Sequence, residues 1–143
     1  MKKLIIALPL LVSLFTIHIA LADPVVVIVN SANAQNISMT DIKNIYSDKT
    51  VTWASGEKIA VYNLPAEVAA AELFADKVLG MSARDAATAE SNRVVSNAAR
   101  NPQLVKRDAL VASIIAKSPN AIGYVPKELV VGKTGIRVLF TLE

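Results

Sequence analysis

Three short motifs bring a serine, a lysine and an amide into spacings that serine acyl transfer uses. Ser55-Gly56-Glu57-Lys58 fits S-x-x-K, Ser31-Ala32-Asn33 fits S-x-N, and Lys133-Thr134-Gly135 fits K-T-G. That chemistry needs the serine and lysine on one helix turn, so that the amine can act on the hydroxyl. Gly56 instead puts the pair in a turn, and S-x-N comes before S-x-x-K rather than after it. Gly132-Lys133-Thr134 echoes a phosphate-gripping loop, but position 127, where the first glycine belongs, holds Lys127. There is no cysteine, and the one histidine is His18. Outside that position the chain has no thiolate or imidazole to serve as nucleophile, general base or soft metal ligand. A hard-cation site built from carboxylates is the remaining metal chemistry, and the acids are too scattered to form a binding loop. These residues point away from an enzyme, and no cofactor or metal is expected.

The residues left with chemistry to offer are binding groups. Ser31 and Asn33 follow an apolar run and serve either a solute or the loop's own solvation. Asn63 is either a helix cap or a ligand contact. Tyr124 stands near the end of an apolar run, so its hydroxyl faces a cleft or is satisfied within the core. Trp53 either stacks on a ligand or anchors its loop to the core, the latter being the commoner use of such a residue. Arg84, Arg93 and Arg100 either meet a partner or form a solvated helix face.

The first 22 residues set the compartment in which these groups work. Lys2 and Lys3 precede an apolar run from Leu4 to Ile19, and Ala20-Leu21-Ala22 offers small side chains to a signal peptidase. The expectation is a signal peptide over residues 1–22, cut before Asp23, and a soluble exported domain over 23–143, which the resemblance given below places in the periplasm. A retained membrane anchor is the competing reading, though the run is short for a bilayer. Lys2 and Lys3 are the only charged side chains removed, so a net charge of +3 from 15 Lys+Arg and 12 Asp+Glu falls to about +1. That balance gives no footprint for nucleic acid or anionic lipid.

The elements that must position the binding groups are legible from hydrophobic period and breakers. Val25 to Val29 is a β-branched run without alternation, the pattern of a strand buried on both faces. Ser38, three residues before Asp41, starts a helix carrying Met39, Ile42, Ile45 and Tyr46. Ser47 to Lys58 is turn-rich, and Ile59 to Tyr62 is a second strand. Asn63 and Pro65 open a helix with Leu64, Val68, Ala71, Ala75 and Val78 on one face, closed by Gly80. Ser82 caps a half-buried, alanine-rich helix that runs to about Ala99. After Asn101-Pro102, Asp108 starts a short helix whose Leu110, Val111, Ile114 and Ile115 point one way. Ala121 to Val125 and Ile136 to Leu142 are the last strands. Alternating strands and helices predict a single α/β domain, a mainly parallel β-sheet with helices on both faces. Ligands of such sheets sit beyond the carboxyl ends of the strands, which brings together the loops Asn30 to Asn33 and Asn63 to Glu67.

Four segments in order resemble one family. DIKNIYSDKTVTW (Asp41 to Trp53), GEKIAVYNLP (Gly56 to Pro65), LFADKVLG (Leu73 to Gly80) and SPNAIGYV (Ser118 to Val125) are similar to phosphate-type periplasmic solute-binding proteins of ABC transporters. The resemblance implies one lobe of a type II periplasmic binding protein, with Val25 to Val29 and Ile136 to Leu142 as its crossover strands. It implies a small anion or other small solute as ligand, bound without catalysis. An ABC-transporter membrane component or another envelope protein is the implied partner, and a homodimer would supply a second binding surface. Ser31, Asn33, Asn63, Glu67 and Tyr124 are the candidate ligand-binding residues. The family's phosphate-gripping Arg and Ser-Gly-Thr run would fall at about Leu64, Val68, Ala69 and Ala70. None of these has a polar side chain, and Glu67 adds a negative charge beside them. The alternative expectation is an accessory or regulatory protein-interaction domain of the envelope that has lost its ligand.

Overall fold

A computed structural model describes residues 23–143, together with Ile17. Apart from Ile17, the signal peptide expected over residues 1–22 lies outside the described residues, and so does its cleavage. Among the described residues, no helix is long and apolar enough to cross a membrane.

Strand β1 (Val25–Asn30) is buried along all six residues. It lies between β4 (Ala121–Pro126) and β5 (Ile136–Leu142) in a five-stranded sheet. Neighbours on both edges and cover above and below are what an unalternating valine run requires. The full strand order is β3-β2-β4-β1-β5, with β2 at Ala60–Asn63 and β3 at Leu104–Val105. β2 pairs in parallel with β3 and β4, whereas β1 pairs antiparallel with both β4 and β5. Four strands thus run one way and β1 alone runs the other.

The reversal of β1 has a local cause. Helix α1 (Met39–Tyr46) carries the chain from the end of β1 along the sheet, so that Tyr46 donates its hydroxyl hydrogen to Tyr62 O at 2.6 Å. The turn-rich segment then comes back. Ile59 N donates to Val51 O at 3.0 Å, and the Trp53 indole donates to Asn120 O at 2.9 Å, just before β4. Chain exit and re-entry are therefore at the same end: β2 starts at the end of the sheet where β1 finishes, with the start of β4 between them.

Local signals set the helices. Ser38 and Asp41 form a reciprocal capping box on α1, which satisfies two free N–H groups at its start. α2 (Ala69–Phe74) continues into a π-helical turn, Ala75–Leu79, which Gly80 closes in the left-handed conformation at φ 69°. α3 (Ala83–Val95) is capped by Ser82 and buries only Ala83, matching its weak apolar stripe. α4 (Asp108–Ile115) buries Val111, Ala112 and Ile115.

Three expectations need correction. α2 starts at Ala69, not near Asn63, because Asn63 spends its side chain on a loop and on β4. Leu110 is 44 % exposed, and Ala112 takes its place on the buried side of α4, which packs on β4. β3 was not expected at all, since two exposed residues at a sheet edge carry no period. The contact of α4 with the sheet is close: a Cβ built on Gly123 would lie 2.7 Å from Ile115 Cδ1 and from Val111 Cγ1.

Candidate functional site

The carboxyl ends of β2 and β4 open on a cavity of about 240 Å³. Asn63 enters it from the end of β2 and Tyr124 from β4. α2 and the π turn supply Ala71, Phe74, Ala75 and Leu79; α3 supplies Ala83, Ala86, Ala87, Glu90 and Ser91. Gln103 and Val105 close it from the β3 side. Alanines on the facing helices leave the volume open, because longer side chains there would fill it.

One hydrogen-bond network frames this cavity. Tyr124 donates its hydroxyl hydrogen to Asn63 Oδ1. The same oxygen accepts Leu64 N–H at 2.8 Å, and Asn63 Nδ2 donates to Gln103 Oε1 at 2.7 Å. Gln103 Nε2 donates to Tyr46 O at 2.9 Å, while Gln103 N donates to Glu90 Oε1 at 2.8 Å. Glu90 Oε2 completes an ion pair with Arg93 at 2.7 Å. The network ties β2, β3, β4, α1 and α3 into one frame, so the mouth of the cavity is preorganised. Behind it, Phe74 stacks on Tyr124 with ring centroids 3.9 Å apart, and Tyr46 packs against Phe74 at 4.7 Å.

Burial pushes the Tyr46 hydroxyl pKa well above its usual value, and burial likewise raises that of Tyr124 against the smaller lowering effect of the Leu64 backbone. Both hydroxyls stay neutral at ordinary pH. Glu90 is then the one ionised group lining the cavity, and it is already spent on Arg93 and the backbone. Neither a nucleophile paired with a base nor, among the described residues, a group of His, Asp or Glu able to hold a metal is present.

The candidate residues divide between the two ends of the sheet. Asn63 and Tyr124 come together at the cavity. Glu67 is exposed in the adjoining loop, where it lines a shallow depression of about 320 Å³ with Ala66, Arg84 and Thr88. Ser31 and Asn33 lie at the opposite end, because β1 runs against β2 and β4. The expected juxtaposition of loops 30–33 and 63–67 is thus corrected. Ser31 is exposed, and its N–H donates to Gly135 O at 2.9 Å. Asn33 is buried beside Trp53, Ser55 and Glu57; its Oδ1 accepts Gln35 N–H at 3.1 Å, and its Nδ2 has no partner.

The remaining sequence motifs resolve similarly. Trp53 is 6 % exposed and anchors its loop through Asn120. Asn63 is not a helix cap, since Val68 holds that position on α2. Ser55 lies in the exposed turn that the bridged residues Thr52 and Lys58 close, so the serine and lysine are off any helix. Arg100 donates to Asp48 O and Lys49 O, both at 2.8 Å, so it serves its own chain. Sequence reasoning missed Gln103 and Glu90. Glu90 lies on a helix read as a solvated face and Gln103 in the break after Asn101-Pro102, and nothing local revealed that both border a cavity.

No family model and no curated protein matches this chain. Solved structures do. A possible phosphate binding protein from Planctomyces limnophilus is similar with a TM-score of 0.61 at 14 % identity, over 82 % of this chain and 40 % of that one. A putative phosphate ABC transporter substrate-binding protein from Clostridium perfringens, with bound phosphate, gives 0.57 at 14 % identity, over 82 % and 44 %. An ABC-type phosphate transport receptor from Vibrio cholerae gives 0.53 at 16 % identity, over 82 % and 45 %. The chain spans less than half the length of each. At these identities the likeness establishes architecture alone: this chain has the α/β fold of one lobe of a periplasmic binding protein.

Proposed function

We propose that the chain is an exported, non-enzymatic solute-binding protein related to the substrate-binding components of phosphate ABC transporters. Its solute site is the cavity bounded by Asn63, Gln103 and Tyr124. The observation that carries this reading is the position of that cavity at the carboxyl ends of β2 and β4. Ligands of open α/β sheets bind there. The preorganised frame of the mouth supports it, as does the fold shared with three phosphate-type binding proteins. Export rests on Lys2, Lys3, the apolar run and Ala20-Leu21-Ala22. A membrane component of an ABC transporter is the natural receiver of a solute carried in this way.

Thermal unfolding of residues 23–143 with added phosphate, sulfate and small neutral solutes at constant ionic strength tests the reading. Binding to the native state alone stabilises by RT ln(1 + [L]/Kd), about 2.7 kcal/mol at a hundredfold excess over Kd. For a domain of this size that raises the midpoint by several degrees. A saturable shift with any of these solutes is expected, and no shift with any of them refutes it.

A second reading, an envelope accessory or regulatory domain that binds a protein instead of a solute, is favoured by Leu64, Val68, Ala69 and Ala70, which put no polar side chain where the phosphate-gripping groups would fall. An envelope protein or a second copy of this chain would then be its partner. Light scattering on the purified protein distinguishes a dimer from a monomer that awaits a different partner.

A further inference from the structure

We infer that the cavity takes a small uncharged solute, mainly apolar and with one hydrogen-bonding group, rather than phosphate or another oxyanion; this rests on the solute-binding reading above. Its walls are Leu64, Phe74, Leu79 and Val105, with alanines of α2 and α3 between them. An oxyanion leaving water needs charge-assisted donors in exchange for its hydration. Among the described residues no Lys or Arg lines this cavity, and its one ionised group, Glu90, has the wrong sign.

The polar groups of the wall are also committed elsewhere. Asn63 Oδ1 is shared between Tyr124 and Leu64, Gln103 bonds with Asn63 and Tyr46, and both Glu90 oxygens are engaged. An anion would have to break this frame and would gain no cation in return. What remains free is the second N–H of Asn63, the second N–H of Gln103 and the exposed hydroxyl of Ser91 at the mouth. Those groups suit a hydroxyl or carbonyl on a ligand. An apolar cavity of about 150 Å³ holds a benzene. The present volume of about 240 Å³ therefore has room for a ring with a short substituent.

The test titrates phenol, benzyl alcohol and sodium phosphate separately into residues 23–143, following backbone amide resonances. The expected result is saturable shifts with phenol or benzyl alcohol at Ala71, Ala86 and Gln103, and none there with phosphate. Ala86→Leu, which projects into the cavity, should weaken the aromatic probe at least tenfold while the protein still unfolds cooperatively; Ala87→Val serves if that variant does not fold. Shifts with phosphate at these residues, with none from the aromatic probes, overturn the inference and leave the solute-binding reading standing. Silence from every probe overturns both. Aromatic shifts that survive both substitutions place binding elsewhere and overturn the assignment to this cavity.

Discussion

Replacing Asn63 by alanine removes a side chain that holds three partners at once. Tyr124 loses the acceptor for its hydroxyl hydrogen, Leu64 N–H loses its 2.8 Å acceptor, and Gln103 Oε1 loses its 2.7 Å donor. Their costs differ because their surroundings differ. Tyr124 is 1 % exposed, so its hydroxyl hydrogen cannot turn to water, and an orphaned buried donor costs about 1–3 kcal/mol. Leu64 N–H keeps a long bond to the Tyr124 hydroxyl at 3.4 Å, and Gln103 is half-buried, so each adds less. A total loss of about 2–4 kcal/mol follows. Tyr124→Phe should cost only about 1 kcal/mol, because it removes the donor and leaves Asn63 Oδ1 still bonded to Leu64. Once Tyr124 is phenylalanine, Asn63→Ala no longer orphans a hydroxyl. The two substitutions should therefore couple by about 1–2 kcal/mol in a double-mutant cycle. Urea unfolding of the four proteins, with an unchanged slope, measures this. Strict additivity, or a loss below about 0.5 kcal/mol for Asn63→Ala, would refute the claim that Asn63 is the hub of the cavity's frame.

Other consequences are open to the same unfolding measurements. Gly123→Ala places a methyl 2.7 Å from Ile115 Cδ1 and Val111 Cγ1, and should cost about 1–3 kcal/mol, partly recovered by adding Ile115→Val. Ser38→Ala breaks the capping box of α1 and should cost about 1 kcal/mol, visible as a lower urea midpoint. The raised pKa values of Tyr46 and Tyr124 mean that the native state keeps protons that the unfolded chain releases above its ordinary tyrosine value of 10.0. Stability from this source is whole below that pH and declines above it, by about 1.4 kcal/mol per pH unit for each tyrosine. Tyr46→Phe with Tyr124→Phe should flatten the alkaline decline; an unchanged profile would show that other groups cause it.

Sequence alone determined the elements whose signals are local. The valine run of β1 meant burial on both faces, because only a central, covered strand repays five consecutive β-branched residues. Ser38 with Asp41 marked the start of α1 as a capping pair, and Gly80 marked the end of the helix before it. The alternation of strands and helices, with four ordered segments that resemble phosphate-type binding proteins, led to one α/β lobe. The apolar residues at positions 64 and 68–70 already argued against the usual phosphate grip. Trp53 proved to be the loop anchor that its isolation in a turn-rich segment suggested.

Tertiary structure decided everything that depends on direction and on distant partners. A hydrophobic strand has the same pattern read either way, so nothing in Val25 to Val29 announced that β1 opposes its neighbours. That one reversal sent Ser31 and Asn33 to the far end of the sheet from Asn63 and Tyr124. Asn63 looked like a helix cap because an asparagine before a proline commonly is one. Its actual partners, Gln103 and Tyr124, lie 40 and 61 residues away, and no local rule reaches so far. β3 exists because Leu104 and Val105 meet the edge of β2, and two residues cannot declare a period. The cavity is likewise a property of packing: each alanine is an ordinary helix residue, and an opening forms only when α2, α3 and the sheet bring those short side chains face to face.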